Sequence, residues 1–152
     1  MKKHTLTTVL LVGILLNGIN LHAQQGHLDA VKLELERITE LEIEAFKNGD
    51  CDTAINFMAD NITFYGNGRK VDSKETIRNF CKRLTRPFEK PSSIETKFYP
   101  LDSKSAYVVR IMEFAENNKI YKKEIVTKIW KKMNANWKIV HLHSTIKQLN
   151  ED

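Results

Sequence analysis

The spacing of apolar residues changes along the chain from a helical period to a strand period. Between Leu28 and Phe46, apolar residues recur every three or four positions with charged residues between them, which predicts an amphipathic helix. Its buried stripe is predicted to consist of Val31, Leu35, Ile38, Leu41 and Ala45. The helix is expected to end at Asn48-Gly49-Asp50, because Gly49 suits a helix C-terminus and Asp50 can cap a following helix.

A second helix and a short strand are predicted next. Residues 51–58 form the helix, whose inner side carries Ala54, Ile55 and Met58. Asp60-Asn61 is expected to end it, since both residues favour turns over helices. The β-branched and aromatic run from Ile62 to Tyr65 predicts a strand that turns at Gly66-Asn67-Gly68.

A third helix and four longer strands complete the predicted fold. The helix, capped by Asp72 or Ser73, ends before Pro87, and its apolar stripe is Ile77, Phe80, Cys81 and Leu84. Alternating β-branched and aromatic residues predict strands at 92–100, 105–115, 119–133 and 136–147. Because the polar breaks between them have hairpin lengths, we expect an antiparallel meander. The order of elements indicates an α+β domain with three N-terminal helices on one face of the sheet.

Two of the predicted strands are apolar on both faces. In strand 105–115 one face carries Val108, Arg110, Met112 and Phe114, and the other carries Tyr107, Val109, Ile111 and Glu113. In strand 136–147 one side is assigned Trp137, Ile139, His141 and His143, and the other Val140, Leu142 and Ile146. Since the helices can cover one face alone, the second face is predicted to pack against another subunit in a homodimer.

The first 23 residues have the pattern of a secretory signal peptide. Two lysines precede an apolar run from Val9 to Leu16, which is too short to span a bilayer, and Ala23 supplies a small residue at the cleavage site. The expected product is residues 24–152, a single domain that is exported to the periplasm or secreted, with no membrane association after cleavage.

Charge and cysteine content limit the remaining classes. The net charge of +5 comes from basic residues that are interspersed with acidic ones, which is typical of a solvated surface and argues against nucleic-acid binding. Cys51 and Cys81 can pair in an oxidising compartment or remain small buried thiols in helices. The sequence leaves both alternatives open, because it does not fix the distance between their Cα atoms.

Several strings in this order resemble the nuclear transport factor 2-like superfamily. The stretch FKNGDCDTAINFMADNITFYGNG resembles the helix–turn–helix–strand opening of that superfamily. The closing VTKIWKKMNANWKIVHLHST is similar to the association domain of calcium/calmodulin-dependent protein kinase II, which ends in T-R-x-W, a turn and W-x-x-V-H-x-H-x-S. The resemblance implies a cone-shaped fold with a pocket at its open end and self-association through the outer sheet face.

The resemblance also implies a site. It places Arg110 and Lys128 on the lining of the cone, where they can meet an anionic group, although Lys128 replaces an arginine and loses its bidentate geometry. Glu42, Glu44 and Glu113 are the internal carboxylates that can pair with Arg110 instead. The leading hypothesis is an exported domain that binds a small anionic or partly apolar molecule. The predicted pocket residues are Phe46, Phe57, Tyr65, Phe80, Arg110, Lys128, Trp130 and His143.

Two other functions stay open, and no cofactor is predicted. One is a SnoaL-like isomerase, cyclase or hydrolase in which Tyr65 and a histidine transfer protons; the other is self-association alone. The catalytic groups of the related ketosteroid isomerase would fall at Tyr65, Glu42 and Lys128, and none of them matches. His141 and His143 point to the same face but provide two ligands where zinc needs three or four, so no metal site is predicted.

Overall fold

The computed structural model describes the backbone of residues 4–149 and the side chains of residues 26–149. The helices within this range are α1 (His4–Asn48), α2 (Cys51–Asn56) and α3 (Lys74–Arg83). The strands are β1 (Met58–Gly66), β2 (Arg69–Val71), β3 (Ser93–Pro100), β4 (Ser105–Glu116), β5 (Lys119–Met133) and β6 (Asn136–Gln148). They form one mixed sheet in the order β2-β1-β6-β5-β4-β3, in which β1 runs parallel to β6 and the other neighbours are antiparallel.

Helix α1 contains the first predicted helix and ends at the predicted signal, but it begins at His4, well before the predicted start at Leu28. Gly49 follows α1 with a φ of +79°, a left-handed conformation that a side chain disfavours. Asp50 then caps α2, where its Oδ1 accepts a hydrogen bond of 3.1 Å from the Thr53 N–H. The side chains of the predicted signal peptide, residues 1–23, lie outside the described residues, and its removal stays a prediction. No helix among the described residues is long and apolar enough to cross a membrane.

The region after α2 differs from the prediction. Helix α2 ends at Asn56, and the next strand already begins at Met58. The prediction that Asp60-Asn61 ends a helix is wrong: these polar residues lie within β1, where the register against β6 shifts between Met58 and Thr63. The three-residue strand β2 was not predicted, and it pairs with β1 across the expected turn. Helix α3 therefore follows two strands, so the three helices are not all N-terminal to the sheet.

Helix α3 is joined to α2 by a disulfide. Ser73 is the cap of α3, and its Oγ accepts a hydrogen bond of 3.1 Å from the Thr76 N–H. Cys51 and Cys81 are both buried and form a disulfide with their Cα atoms 5.8 Å apart, which answers the question the sequence left open. Phe80 does not belong to the buried stripe of α3, because 47% of its surface is exposed.

The strands from β3 to β6 form the predicted antiparallel meander, with bounds close to those expected. Helix α1 packs on one face of this sheet, which we call the inner face; the opposite face is the outer face. Side chains from α1, α2, α3 and the inner face form the core. Trp130 is fully buried at its centre. The main core residues are Val31, Leu35, Ile38, Ile55, Met58, Ile77, Val108, Trp130, Trp137, Ile139 and Leu142.

The prediction for the faces of β6 is wrong, because the strand contains a bulge. Trp130 pairs with Ile139, whereas its neighbour Ile129 pairs with His141, so Val140 is an extra residue. A one-residue shift exchanges the two faces of a strand. Trp137 and Ile139 therefore point to the inner face together with Leu142, while His141 and His143 point to the outer face.

Candidate functional site

A buried ion pair occupies the inner face where the resemblance implied a pocket. Lys128 of β5 points toward α1, and its Nζ donates a hydrogen bond to Glu42 Oε2. The two side chains retain 11% and 5% of their exposure, so the pair is shielded from water. A carboxylate in such surroundings needs a charged partner, since an unpaired buried charge is strongly unfavourable. Lys128 therefore forms an internal ion pair with Glu42.

Arg110 is half-buried beside this pair and has no such partner. It forms no ion pair and donates no hydrogen bond to any side chain within the described residues, although Glu42 and Glu124 act on it electrostatically. Burial lowers the pKa of Arg110, and the two carboxylates oppose that shift. The guanidinium keeps its charge, because the pKa of arginine is far above neutrality. Its hydrogen-bond donors are available to an anion.

The other carboxylates that the sequence offered to Arg110 lie elsewhere. Glu44 is exposed on α1. Glu113 is on the outer face, where Lys123 Nζ lies 3.0 Å from its Oε1 and the Ser93 hydroxyl donates a hydrogen bond of 3.1 Å to its Oε2. These two contacts lower the pKa of Glu113, with Lys123 the larger cause. Glu42 is therefore the one predicted carboxylate that approaches Arg110.

The predicted pocket residues do not surround one cavity. Trp130 belongs to the core, and Phe57 packs against its edge with ring centroids 6.4 Å apart. Phe46 stacks on Phe88 near the C-terminus of α1, and Phe80 is exposed on α3. Tyr65 and His143, the remaining two, lie next to each other on the outer face, opposite Arg110 and Lys128.

Two clefts are present on other parts of the surface. A cleft of about 300 Å³ lies between α1, α2 and the turn from β5 to β6, and Phe57 is the one predicted pocket residue that lines it. A second, of about 250 Å³, lies between α1 and β3. Neither includes the Arg110 guanidinium. Within the described residues, no group of three or more His, Cys, Asp or Glu side chains is placed to hold a metal ion.

The sequence reasoning named Glu42 as a possible partner of Arg110 but did not assign it to the buried stripe of α1, and it did not name Glu124. Glu42 is 3% exposed, whereas Leu41, which was assigned to the buried stripe, is 44% exposed. The signal was in the spacing: Leu35, Ile38, Glu42 and Ala45 follow each other at steps of three and four residues, so Glu42 occupies a core position of α1. Glu124 lies on the inner face because it pairs with Met112, and its position follows once the register of β5 is known.

The outer face carries an oriented histidine. His141 Nδ1 lies 2.7 Å from Thr63 Oγ1 on the neighbouring strand β1. The rings of His141 and Tyr65 are 6.2 Å apart, and His143 is exposed. Among the described side chains of Thr63, Tyr65, His141 and His143, the Thr63–His141 contact is the one close polar contact. It fixes one imidazole but provides no nucleophile or carboxylate for a catalytic array.

Comparisons with known proteins support the fold that these elements form. The association domain of worm calcium/calmodulin-dependent protein kinase II (C. elegans) shares 19% identity and a TM-score of 0.57, covering 76% of this chain and 95% of that one. A ketosteroid isomerase-like protein from Erwinia carotovora atroseptica shares 14% identity and a TM-score of 0.58, covering 76% of this chain and 95% of that one. An NTF2-like protein of unknown function from Shewanella oneidensis shares 18% identity and a TM-score of 0.54, covering 73% of this chain and 95% of that one. At these identities the likeness shows the fold alone.

The family comparison is more specific than the structural one. No curated protein sequence matches this chain. The sequence model of the calcium/calmodulin-dependent protein kinase II association domain matches residues 31–147, from Val31 of α1 to the residue before the end of β6. This range contains strands β1 to β5, all but the last residue of β6, and Glu42, Arg110, Glu124 and Lys128 of the inner face. The chain belongs to the calcium/calmodulin-dependent protein kinase II association domain family.

Proposed function

We propose that this chain is a self-association module whose copies pair through the outer face of the sheet. The observation that carries this proposal is the apolar character of that face. Tyr65, Tyr99, Ile125 and Ile129 all point outward and each retains between 36% and 39% of its exposure. Large apolar side chains that share one exposed face are typical of a protein interface. The family to which the chain belongs is named for association, which agrees with this use.

The distribution of charge on the outer face also fits an interface. Side chains directly opposite each other on neighbouring strands share a face, so the register identifies an uncharged centre on β4, β5, β6 and β1. This centre consists of Tyr107, Val109, Ile111, Ile125, Thr127, Ile129, His141, His143, Thr145, Thr63 and Tyr65. The charged residues surround it: Lys70 on β2, Glu95 and Lys97 on β3, and Glu113, Lys123, Lys131, Lys138 and Lys147 at the two ends. An apolar centre with a charged rim is the usual arrangement in interfaces.

The test is the double substitution Ile125→Lys/Ile129→Lys. Burying the exposed third of an isoleucine contributes about 1 kcal/mol, and in a symmetric dimer each residue counts twice. The two substitutions therefore remove about 4 kcal/mol, which weakens the dimer about 1,000-fold. Sedimentation velocity over a range of concentrations should show a dimer or larger assembly for the wild type and a monomer for the variant.

A matched control separates the interface from a general effect of surface charge. Ile120 is 44% exposed at the turn from β4 to β5, away from the centre of the outer face, and Ile120→Lys should leave assembly unchanged. Circular dichroism should confirm that both variants are folded. A wild-type chain that stays monomeric at high concentration, or a double variant that assembles as the wild type does, would overturn the proposal.

A second function is favoured by Arg110, which is half-buried and has no hydrogen-bonded partner among the described side chains. We propose that its guanidinium binds a small carboxylate on the inner face. A ligand at one hundred times its Kd stabilises the folded chain by about 2.7 kcal/mol, which thermal unfolding detects. Acetate, succinate and benzoate should raise the Tm of the wild type but not that of Arg110→Ala. Arg37→Ala, which removes an exposed arginine, is the control; equal shifts in all three chains would refute the site.

The proton-transfer alternative has less support. Tyr65 and the two histidines lie on the outer face, where the proposed pairing would bury them. In the sheet register the histidines are flanked by Thr63, Thr127, Ile129 and Tyr65, and Tyr65 also lies opposite Lys70; no carboxylate is directly opposite any of the three. An isomerase or hydrolase would need the outer face to remain open to substrate.

Export is also proposed. The signal-peptide pattern of residues 1–23 supports it, and so does the Cys51–Cys81 disulfide, since disulfides persist in oxidising compartments. The intact mass of the protein recovered from its own host tests this proposal. A chain that begins at Gln24 is expected, and a full-length chain in the cytoplasm would contradict it.

A further inference from the structure

His141 and His143 lie side by side on the outer face in a regular part of β6. The bulge at Val140 precedes them, and from His141 onward the pairing with both neighbouring strands is in register. Two residues apart on a strand, their Cα atoms are separated by about 7 Å and their side chains share a face. Two imidazoles in this arrangement can bind one metal ion together.

Their surroundings favour a divalent metal ion over other ligands. The four directly opposite residues are uncharged: Thr63 and Ile129 flank His141, and Tyr65 and Thr127 flank His143. No lysine or arginine repels a cation from these positions, and no carboxylate neutralises one. Imidazole nitrogens prefer zinc and its neighbours in the transition series. Both cysteines of the chain are held in the disulfide, so thiolates do not compete for the metal.

The contact with Thr63 prepares His141 for this role. The Thr63 hydroxyl lies 2.7 Å from His141 Nδ1 and 3.4 Å from the carbonyl oxygen of Val140. A hydroxyl has a single proton, and a carbonyl can only accept. Both contacts are hydrogen bonds only if Thr63 donates to Val140 and the Nδ1–H of His141 donates to Thr63. The Nε2 atom of the neutral ring then carries the lone pair that a metal requires, and the ring is held in place.

One chain provides two ligands, and zinc sites in proteins have three or four. A twofold axis that passes beside these histidines would bring the same pair from a second copy and so provide the missing ligands. We propose that His141 and His143 of two copies together bind one Zn²⁺ ion through four imidazoles. The inference rests on the proposed pairing through the outer face, and it adds a metal to that interface. β6 is the third of six strands, so the histidines lie well inside the sheet and away from its edges.

The experiment is a calorimetric titration of the full chain, freed of metal by chelation, with zinc chloride. The expected stoichiometry is one zinc per two chains. His141→Ala/His143→Ala should weaken binding at least 100-fold. Thr63→Val keeps the shape of the side chain but removes the hydroxyl, and it should weaken binding 10- to 100-fold, as loss of a group that orients a ligand does. His27→Ala, in an exposed part of α1, is the control and should bind as the wild type.

Sedimentation in the presence of a chelator distinguishes the proposed pairing of chains from the proposed zinc site. A chain that pairs without metal but binds no zinc, or binds it equally well without His141 and His143, overturns this inference and leaves the proposed function standing. A chain that is monomeric without and with zinc overturns the pairing and the shared site together. Binding of one zinc per chain overturns the shared site. Half-stoichiometric binding that is lost in the double variant supports it.

Discussion

The buried ion pair between Glu42 and Lys128 leads to a prediction about stability. Lys128→Met removes the ammonium group but keeps a long apolar side chain on the inner face. The Glu42 carboxylate, whose side chain is 5% exposed, then loses its one hydrogen-bonded partner among the described residues. Arg110 interacts with Glu42 electrostatically and compensates in part.

The size of the effect follows from the burial of both groups. Breaking a buried pair by removing one partner costs about 3–5 kcal/mol, and the help from Arg110 places Lys128→Met near the lower end. For a domain of this length, about 3 kcal/mol lowers Tm by roughly 6–12 °C. Replacing both partners with apolar residues removes the stranded charge. Glu42→Leu/Lys128→Met should therefore be within about 1 kcal/mol of the wild type.

Urea unfolding of the wild type, both single variants and the double variant forms a double-mutant cycle. All four chains are measured at one protein concentration, because assembly changes apparent stability. Lys32→Met is the matched control: it breaks a surface pair with Glu36, at 3.9 Å and half-exposed, and should change stability by less than about 0.5 kcal/mol. The reasoning is refuted if Lys128→Met has the effect of the control, or if the single effects simply add.

Three further predictions concern other parts of the fold. Glu34→Gln should lose a stabilisation that is present at neutral pH, because the pKa of Glu34 is held below 4.5 by the Trp137 indole and then by Lys132. The indole N–H makes no hydrogen bond of normal geometry within the described part of the chain, so the Lys132 contacts at 3.0 and 3.1 Å are the firmer cause. The wild-type advantage should fade as pH falls from about 4.5 through the folded pKa, and equal advantages in urea at neutral and strongly acidic pH would contradict this. Cys51→Ser/Cys81→Ser opens a loop with a sequence separation of 30 and should cost about 3–4 kcal/mol, seen as a lower guanidinium midpoint that reductant no longer changes. Asp50→Ala should lower the midpoint in the same assay, with Asp50→Asn close to the wild type; equal losses would show that the cap acts through charge and not through its acceptor.

The long periodic elements were predictable from the sequence because their patterns are local. The strands β3 to β6 alternate over eight or more residues each, and their hairpins are set by short polar breaks. The shorter features depend on tertiary contacts. β2 has three residues, and Asp60-Asn61 lies within β1 where the register against β6 shifts, although both residues favour turns.

The candidate site was less predictable than the fold, because its residues pair across elements. The resemblance placed Arg110 and Lys128 together, and in the structure both side chains lie on the inner face. The carboxylate that Lys128 binds comes from α1, and its choice of Glu42 depends on how the helix is rotated over the sheet. Leu41 and Glu42 differ by one position, or about 100° around the helix, and composition alone favours the leucine as the buried residue.

The bulge at Val140 explains how one strand serves both the core and the outer face. Trp137 and Ile139 are apolar and must be buried, and an unbroken alternation would then place His141 beside them in the core. A buried imidazole without a partner is unfavourable, and the inner face offers that position to Leu142 instead. One extra residue exchanges the faces, so the histidines meet Thr63 and Tyr65 on the outer face while the core stays apolar. The bulge at Val140 therefore interrupts the simple alternation and places both histidines in the uncharged centre of the proposed interface.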